Sequence, residues 1–228
     1  MAIIITGASK GIGKYLFEEY SKKGYEVYGT YNSTKNIIEN KNITQVDISD
    51  YKSVTEWIVK LNDSLKDLIL INCAGITYNA FTHKSDIEQW HKVIDINLKG
   101  TFNVIRQILP IMRNQNYGRI ITFTSVVVKY PTLGISAYTA SKSGLIGLTK
   151  TIAIENASKG ITANTINLGY SNIGMGLNNV PKENQEQLKL KIPNGRFCNP
   201  EEILNTIDYI INTEYFNGST IDINGGLI

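Results

Sequence analysis

The sequence contains few of the residues that mark several classes of protein. Its two cysteines and two histidines are too few for a disulfide framework or a histidine-rich metal site. Charged residues make up 19% of the chain and the formal net charge is +3, which is too slight to indicate a nucleic-acid or membrane partner. No stretch approaches 18 consecutive apolar residues, and Met1–Ile5 lacks the basic region of a signal peptide. We therefore expect a cytoplasmic protein.

Apolar residues make up 42% of the 228 residues, which is enough for a large core. No repeat, low-complexity tract or linker divides the chain, so we expect a single domain over residues 1–228. One long stretch, from Leu168 to about Lys182, is rich in glycine and asparagine and shows no regular pattern. Loops of this length in compact domains are more often functional lids than linkers, which predicts a flexible substrate flap over about 168–182.

Short β-branched runs alternate with amphipathic segments along the whole chain. The predicted strands are Ile3–Thr6, Glu26–Thr30, Ile43–Val46, Leu68–Asn72, Arg119–Thr124, Thr162–Asn167 and Ser219–Ile223. The predicted helices are Ile12–Lys23, Ser53–Leu61, Ile87–Met112, Ala137–Ala157 and Glu201–Asn212. Several strands are almost continuously apolar, as in sheets covered on both faces. The pattern predicts an α/β fold with a doubly wound, Rossmann-type parallel sheet of about seven strands and helices on both faces.

The first predicted strand runs directly into a glycine-rich turn and then a helix. The turn reads Gly7-Ala8-Ser9-Lys10-Gly11-Ile12-Gly13. Glycines at such a turn let backbone N–H groups approach a pyrophosphate at the positive end of the helix. A glycine cluster alone is a weak signal, but its place between the first strand and the first helix of an α/β chain favours a nucleotide site.

A second pattern points to proton transfer. Tyr138 and Lys142 are four residues apart at the start of a predicted helix, so both side chains project from one face. A neighbouring ammonium and a nicotinamide cation would lower the pKa of the phenol, which predicts a tyrosine able to act as general acid toward a ketone oxygen. Ser125 ends the fifth strand and can hydrogen-bond the same oxygen.

Together these patterns resemble the short-chain dehydrogenase/reductase family, in its single-domain branch, and most closely the bacterial 3-oxoacyl-carrier-protein reductases. The resemblance extends from Thr6 to Asn224-Gly225-Gly226. It implies an NAD(P)-dependent ketoreductase in which Ser125, Tyr138 and Lys142 are catalytic. It further implies that Asn97 supports a water relay to Lys142, which would also hold the nicotinamide ribose.

The resemblance also assigns the cofactor contacts. These are Gly7, Ser9, Lys10, Gly11, Ile12, Gly13, Thr30, Asn32, Ser33, Asp47, Ile48, Asn72, Ala74, Gly75, Tyr138, Lys142, Gly169 and Ser171. No acidic residue lies between Val27 and Ile38, where an NAD site places one to hold the ribose 2′-hydroxyl. With Lys10 available to a 2′-phosphate, NADP is favoured over NAD. Cys73 occupies the second position of the family's Asn-Asn-Ala-Gly motif and is expected to be structural.

The sequence departs from the family pattern after the sixth strand. Leu168 replaces the proline of a Pro-Gly pair, and Ile173 stands where a threonine holds the nicotinamide carboxamide. Backbone groups near Ser171, or its side chain or that of Asn172, could substitute for the missing hydroxyl.

The substrate is less well defined. Its walls should come from Tyr78, Val126–Thr132 and the flap. The 3-oxoacyl-carrier-protein reductases that the chain resembles have two basic residues that dock the acyl carrier. This sequence has a basic residue, Lys159, at one of these positions and Asn116 at the other. A carrier-bound or a free ketone, a sugar or a polyketide-like intermediate therefore stays open.

Two other functions compete with that of a reductase. A sugar-nucleotide epimerase would carry a different glycine motif and a substantial C-terminal domain. A sensor that binds NADP without turnover would typically have lost Tyr138 or Lys142. No metal is expected, because His83 and His91 lack ligand spacing and are expected to be solvated. The resemblance also implies a homodimer or homotetramer, although the apolar stripe Ile105, Ile108, Leu109 and Met112 suits a core face by default.

Overall fold

The computed structural model describes residues 1–34, 40–61, 64–178 and 181–227. Within these ranges, seven parallel strands form one sheet in the order β3-β2-β1-β4-β5-β6-β7. The strands are β1 Ala2–Thr6, β2 Glu26–Tyr31, β3 Ile43–Gln45, β4 Ile69–Asn72, β5 Gly118–Ser125, β6 Ile161–Leu168 and β7 Thr220–Ile223. Every predicted strand is confirmed, with ends that differ by a few residues at most. From β1 to β3 each new strand is added on one side of β1, whereas β4 and the strands that follow are added on its other side. Open α/β sheets bind ligands at such a switch point, which here lies between β1 and β4.

Helices cover both faces of the sheet. They are α1 Gly11–Lys22, α2 Tyr51–Leu61, α3 Ile87–Ile94, α4 Thr101–Gln115, α5 Ser136–Asn156, α6 Met175–Asn178, α7 Lys182–Lys191 and α8 Pro200–Asn212. Successive residues of β1 point to opposite faces: Ile3 and Ile5 pack with α1 and α8, whereas Ala2 and Ile4 pack with α2, α4 and α5. The predicted doubly wound fold with two covered faces is confirmed.

The predicted helix Ile87–Met112 is helical along its whole length but is not α-helical throughout. A π-helical turn, Asp95–Gly100, separates α3 from α4, and α4 continues to Gln115 before Asn116 adopts a left-handed conformation with φ of 51°. The π-helical turn keeps the backbone helical, so the residue pattern predicts one helix and gives no sign of the change in hydrogen bonding.

The segment predicted as a non-regular flap is more ordered than expected. Ser171 pairs with Cys198 in an isolated bridge, α6 follows, and α7 begins at Lys182. Residues 179–180 of the predicted flap lie outside the described residues. Helix α7 escaped prediction because none of its residues is buried, so it shows no apolar stripe. The flexibility of the flap stays a prediction.

No helix in the described part of the chain is long and apolar enough to cross a bilayer.

Candidate active site

The glycine turn is shaped by close backbone contacts. A Cβ atom on Gly13 would lie 2.3 Å from the carbonyl oxygen of Gly7, and one on Gly7 would lie 2.9 Å from Cα of Ala74. Gly7 also has a positive φ of 71°, which disfavours other residues. Helix α1 begins at Gly11 and has no acidic residue in its first turn. Among the described residues, the side chain of the N-cap residue Lys10 makes no hydrogen bond that caps the helix. The N-terminal N–H groups of α1 therefore suit an anionic group.

Strand β2 supports this turn from beneath. The Gly7 N–H donates to Thr30 Oγ1 at 3.3 Å, and the Ala8 N–H donates to the Thr30 carbonyl at 2.7 Å. Thr30 is 1% exposed, so its hydroxyl faces the turn rather than solvent. Asn32 and Ser33 are exposed, as is Lys10.

Thr34 was not predicted as part of the site. Its hydroxyl and that of Ser9 hydrogen-bond each other at 2.7 Å, which joins the end of β2 to the glycine turn. The only sequence signal was its position three residues after the strand, within the stretch that lacks acidic residues.

The loop after β4 is fixed to the end of β1. Thr6 Oγ1 accepts from the N–H groups of Cys73 at 3.2 Å and Ala74 at 3.1 Å. Asn72 donates to Thr122 Oγ1 at 3.1 Å, while its buried Oδ1 has no partner among the residues that the structure describes. Burial raises the pKa of the free Cys73 thiol, which agrees with a structural rather than a reactive cysteine.

Asn97 lies in the π-helical turn and is fully buried. Its side-chain amide accepts from the Ile76 N–H at 2.8 Å and donates to the Ile76 carbonyl at 2.9 Å and to Ser141 Oγ at 3.1 Å. The Ser141 hydroxyl donates to the Tyr138 carbonyl at 2.7 Å. Asn97 thus joins the loop after β4 to the first turn of α5. Ser141 was not predicted, although it directly precedes Lys142.

Lys142 projects from α5 toward the loop after β4. Its Nζ lies 3.7 Å from the position of a Cβ on Gly75 and donates to the Phe123 carbonyl at 2.7 Å. The side chain is 4% exposed, and this burial lowers the pKa of the ammonium to about 8. The Cys73 thiol acts weakly in the opposite direction.

Tyr138 and Ser125 meet at the carboxyl end of β5. Burial raises the pKa of the Tyr138 phenol, and the Ser125 hydroxyl that hydrogen-bonds it lowers the pKa by less. In the protein without a bound cofactor Lys142 therefore does not lower the pKa of the phenol, and the expected acidic phenol, which also requires the nicotinamide cation, stays a prediction. The reason is geometric: Lys142 Nζ lies over the tyrosine ring, 5.6 Å from its centroid, and donates to a backbone carbonyl rather than to the phenol oxygen.

The loop after β3 approaches the site from the side of α4. Asp47 Oδ1 accepts from the N–H and hydroxyl of Ser49, at 2.9 and 2.6 Å. Ile48 is buried against the π-helical turn, where a Cβ on Gly100 would lie 2.8 Å from its Cγ1.

The segment after β6 crosses the start of α1. A Cβ on Gly11 would lie 2.9 Å from Cα of Gly174, and the Gly169 N–H donates to the Ile223 carbonyl at 2.8 Å. The Ser171 hydroxyl is buried and donates to the Ile173 carbonyl at 3.0 Å, so it faces its own loop. Gly174 was not singled out in the sequence.

Two of the predicted substrate walls belong to neighbouring segments: Tyr78 lies in the loop after β4, and Val126–Thr132 precedes Gly134 in the segment before α5. The Ala80 N–H donates to the Gly134 carbonyl at 2.8 Å, which joins the loop after β4 to the segment before α5. Tyr78 is half-buried and its hydroxyl accepts from the Asp86 N–H at 3.0 Å. Exposed Phe81 and Leu133 flank this contact and give the rim an apolar character.

His83 and His91 are both exposed, as expected. In the described ranges, no group of three or more His, Cys, Asp or Glu side chains is placed to hold a metal ion.

Comparison with known proteins agrees with this geometry. A family model described as short chain dehydrogenase matches residues 1–184. The chain is 34% identical to an acetoacetyl-CoA reductase of Shinella zoogloeoides, with 98% of this chain and 96% of the relative covered. It is also 34% identical to a 3-oxoacyl-(acyl-carrier-protein) reductase of Staphylococcus epidermidis, with 98% and 97% covered. The chain therefore belongs to the short-chain dehydrogenase family, whose members are oxidoreductases that interconvert CH–OH and C=O groups.

Proposed function

We propose that the protein reduces the ketone of a 3-oxoacyl compound, or of a related carbonyl compound, to an alcohol with NADPH, and that Tyr138 is the general acid. The observation that carries this proposal is the convergence of Ser125, Tyr138 and Lys142 next to the loop after β4, whose Ala74 packs against Gly7 of the glycine turn. The names of the relatives, which refer to acetoacetyl-CoA and to 3-oxoacyl groups, support the substrate class.

The glycine turn fits a dinucleotide. The close contacts of Gly7 and Gly13 leave no room for side chains, and the start of α1 offers N–H groups to a pyrophosphate. When bound, a nicotinamide dinucleotide supplies the hydride. Exposed Lys10 and the Ser9–Thr34 pair suit the 2′-phosphate of NADPH, and no acidic residue lies nearby in the sequence to repel it.

Three side chains of the protein serve the carbonyl oxygen. Ser125 donates a hydrogen bond to it, and Tyr138 transfers its proton as negative charge develops there. Burial raises the pKa of the phenol, and its hydrogen bond with the Ser125 hydroxyl opposes this effect. The Lys142 ammonium adds positive charge 5.6 Å from the centroid of the Tyr138 ring.

The carrier and the assembly of the protein are further parts of the proposal. Asn116 precedes β5 and Lys159 precedes β6, so both lie at the amino ends of these strands, whereas Ser125 lies at the carboxyl end of β5. The two residues are near each other, because a Cβ on Gly160 would touch the Asn116 carbonyl. A free or CoA-linked ketone therefore suits this site at least as well as a carrier-bound one.

The proposal also includes the assembly and location of the protein. Exposed Phe102 on α4 and Ile154 on α5 support a homodimer or homotetramer. The location that we propose is the cytoplasm.

The test is turnover of NADPH and NADH with acetoacetyl-CoA, a carrier-bound 3-oxoacyl thioester and an unrelated ketone, followed by the near-ultraviolet absorbance of the reduced cofactor. We expect oxidation of NADPH with at least one thioester. Lys10→Ala should raise the KM for NADPH about tenfold and leave that for NADH unchanged, because one charged contact is lost. Binding of NADPH without turnover of any carbonyl compound would instead indicate a sensor.

A further inference from the structure

Three polar side chains form one rung across neighbouring strands. Thr124 on β5, Asn167 on β6 and Asp222 on β7 are directly opposite one another in the parallel register. The Thr124 hydroxyl donates to Asn167 Oδ1, and Asn167 Nδ2 donates to Asp222 Oδ1 at 2.9 Å. The rung thus runs from the edge of the sheet to the residue that directly precedes Ser125.

Lys129 closes this rung into a ring. Its Nζ donates to the other carboxylate oxygen of Asp222 at 2.6 Å. Lys129 directly follows a short 3₁₀ turn, Val126–Val128, and Ser125 caps that turn by accepting from the Val127 N–H at 3.4 Å. We call Thr124, Asn167, Asp222 and Lys129 the anchor ring, because they hold the chain on both sides of Ser125.

Burial gives the ring its stiffness. Thr124 is 3% and Asn167 is 1% exposed, so water does not compete for their hydrogen bonds. Both oxygens of the Asp222 carboxylate are used, one by each half of the ring. An exposed ion pair contributes little by itself, but here its removal also leaves the buried amide of Asn167 without its acceptor.

The pair of residues two positions earlier on β6 and β7 offers a matched control. Thr165 and Thr220 are opposite each other on β6 and β7, and their hydroxyls hydrogen-bond at 2.7 Å. This pair joins the same two strands on the same face, but among the described residues its hydroxyls make no hydrogen bond to the turn after Ser125.

We propose that Asn167 and Asp222 are positioning residues that hold the Ser125 hydroxyl toward the Tyr138 phenol and the substrate oxygen. The inference rests on the proposed function. A displacement of about 1 Å in a reacting group can lower a rate about 100-fold, so a partial loss of the anchor ring should lower kcat about tenfold.

The experiment compares Asp222→Ala and the milder Asp222→Asn with Thr220→Val, each in the wild-type and in the Ser125→Ala background. We expect Asp222→Ala to lower kcat about tenfold in the wild-type background and less than twofold when Ser125 is already absent, with the KM for NADPH unchanged. Asp222→Asn keeps an acceptor for Asn167 and should recover part of kcat. Thr220→Val should leave kcat unchanged. An equal loss of kcat in both backgrounds, or no loss in either, would overturn the inference.

Hydrogen exchange of the peptide 125–129 supplies a readout that does not depend on turnover. Asp222→Ala should speed exchange of the Val127 amide about tenfold, and Thr220→Val should not. If the wild type turns over no ketone, the proposed function fails, and the anchor ring is then judged on exchange alone. An unchanged exchange rate of the Val127 amide in Asp222→Ala would refute the positioning role of the anchor ring.

Discussion

Replacing Asn97 with alanine removes three hydrogen bonds from the centre of the site. The side chain is fully buried, and its amide bonds both the N–H and the carbonyl of Ile76 and the hydroxyl of Ser141. A typical hydrogen bond contributes about 1 kcal/mol, and buried groups left without partners add to the cost, so the free energy of unfolding should fall by roughly 2–4 kcal/mol. For a domain of this size, Tm should fall by roughly 4–16 °C.

Thermal unfolding and steady-state kinetics of Asn97→Ala test this reasoning together. Since Asn97 fixes the loop beside Gly75 and Lys142, we expect kcat to fall with stability. Asn212→Ala is the control, because Asn212 is exposed at the end of α8 and its side chain makes a local bond to the Asp208 carbonyl. A fall in Tm for Asn97→Ala no larger than that of the control would refute the structural role assigned to Asn97.

Two further predictions concern Lys142 and the glycine turn. Burial lowers the pKa of Lys142 to about 8, so the unfolded chain binds more protons than the folded one above that pH. The stability of the wild type relative to Lys142→Met should therefore rise between pH 8 and 10, and kcat/KM should fall through about pH 8 if the ammonium is required; a flat difference in Tm across this range would contradict the shift. Gly13→Ala places a methyl group 2.3 Å from the Gly7 carbonyl oxygen and should cost about 1–3 kcal/mol and abolish NADPH binding measured by fluorescence titration. Gly147→Ala, whose methyl group meets no described atom within 4 Å, should stabilise α5 by about 0.5–1 kcal/mol, and equal effects of the two substitutions would contradict the assigned contacts.

The centre of the sheet was predictable because its strands are buried on both faces. β1 and β4 are apolar up to their last residues, Thr6 and Asn72, so their composition identifies them without long-range information. The glycine turn and the Tyr138–Lys142 pair were predictable because their spacing is local. Helix α7 was missed for the opposite reason: it buries no residue and leaves no periodic signal.

Long-range contacts account for the rest. The bond between Asn97 and Ile76 and the rung formed by Thr124, Asn167 and Asp222 depend on how distant segments align, which no local pattern specifies. The raised pKa of Tyr138 in the protein alone could not be predicted, because the sequence places Lys142 on the same helix face but cannot show that its Nζ donates to Phe123.

The most direct test of the account is the comparison of Tyr138→Phe with the wild type, with NADPH affinity and kcat measured on the same preparations. We expect kcat to fall by about 10²–10⁴, as for loss of a general acid, while NADPH affinity and Tm change little. Retention of kcat within a few-fold of the wild type would contradict the claim that this phenol protonates the substrate.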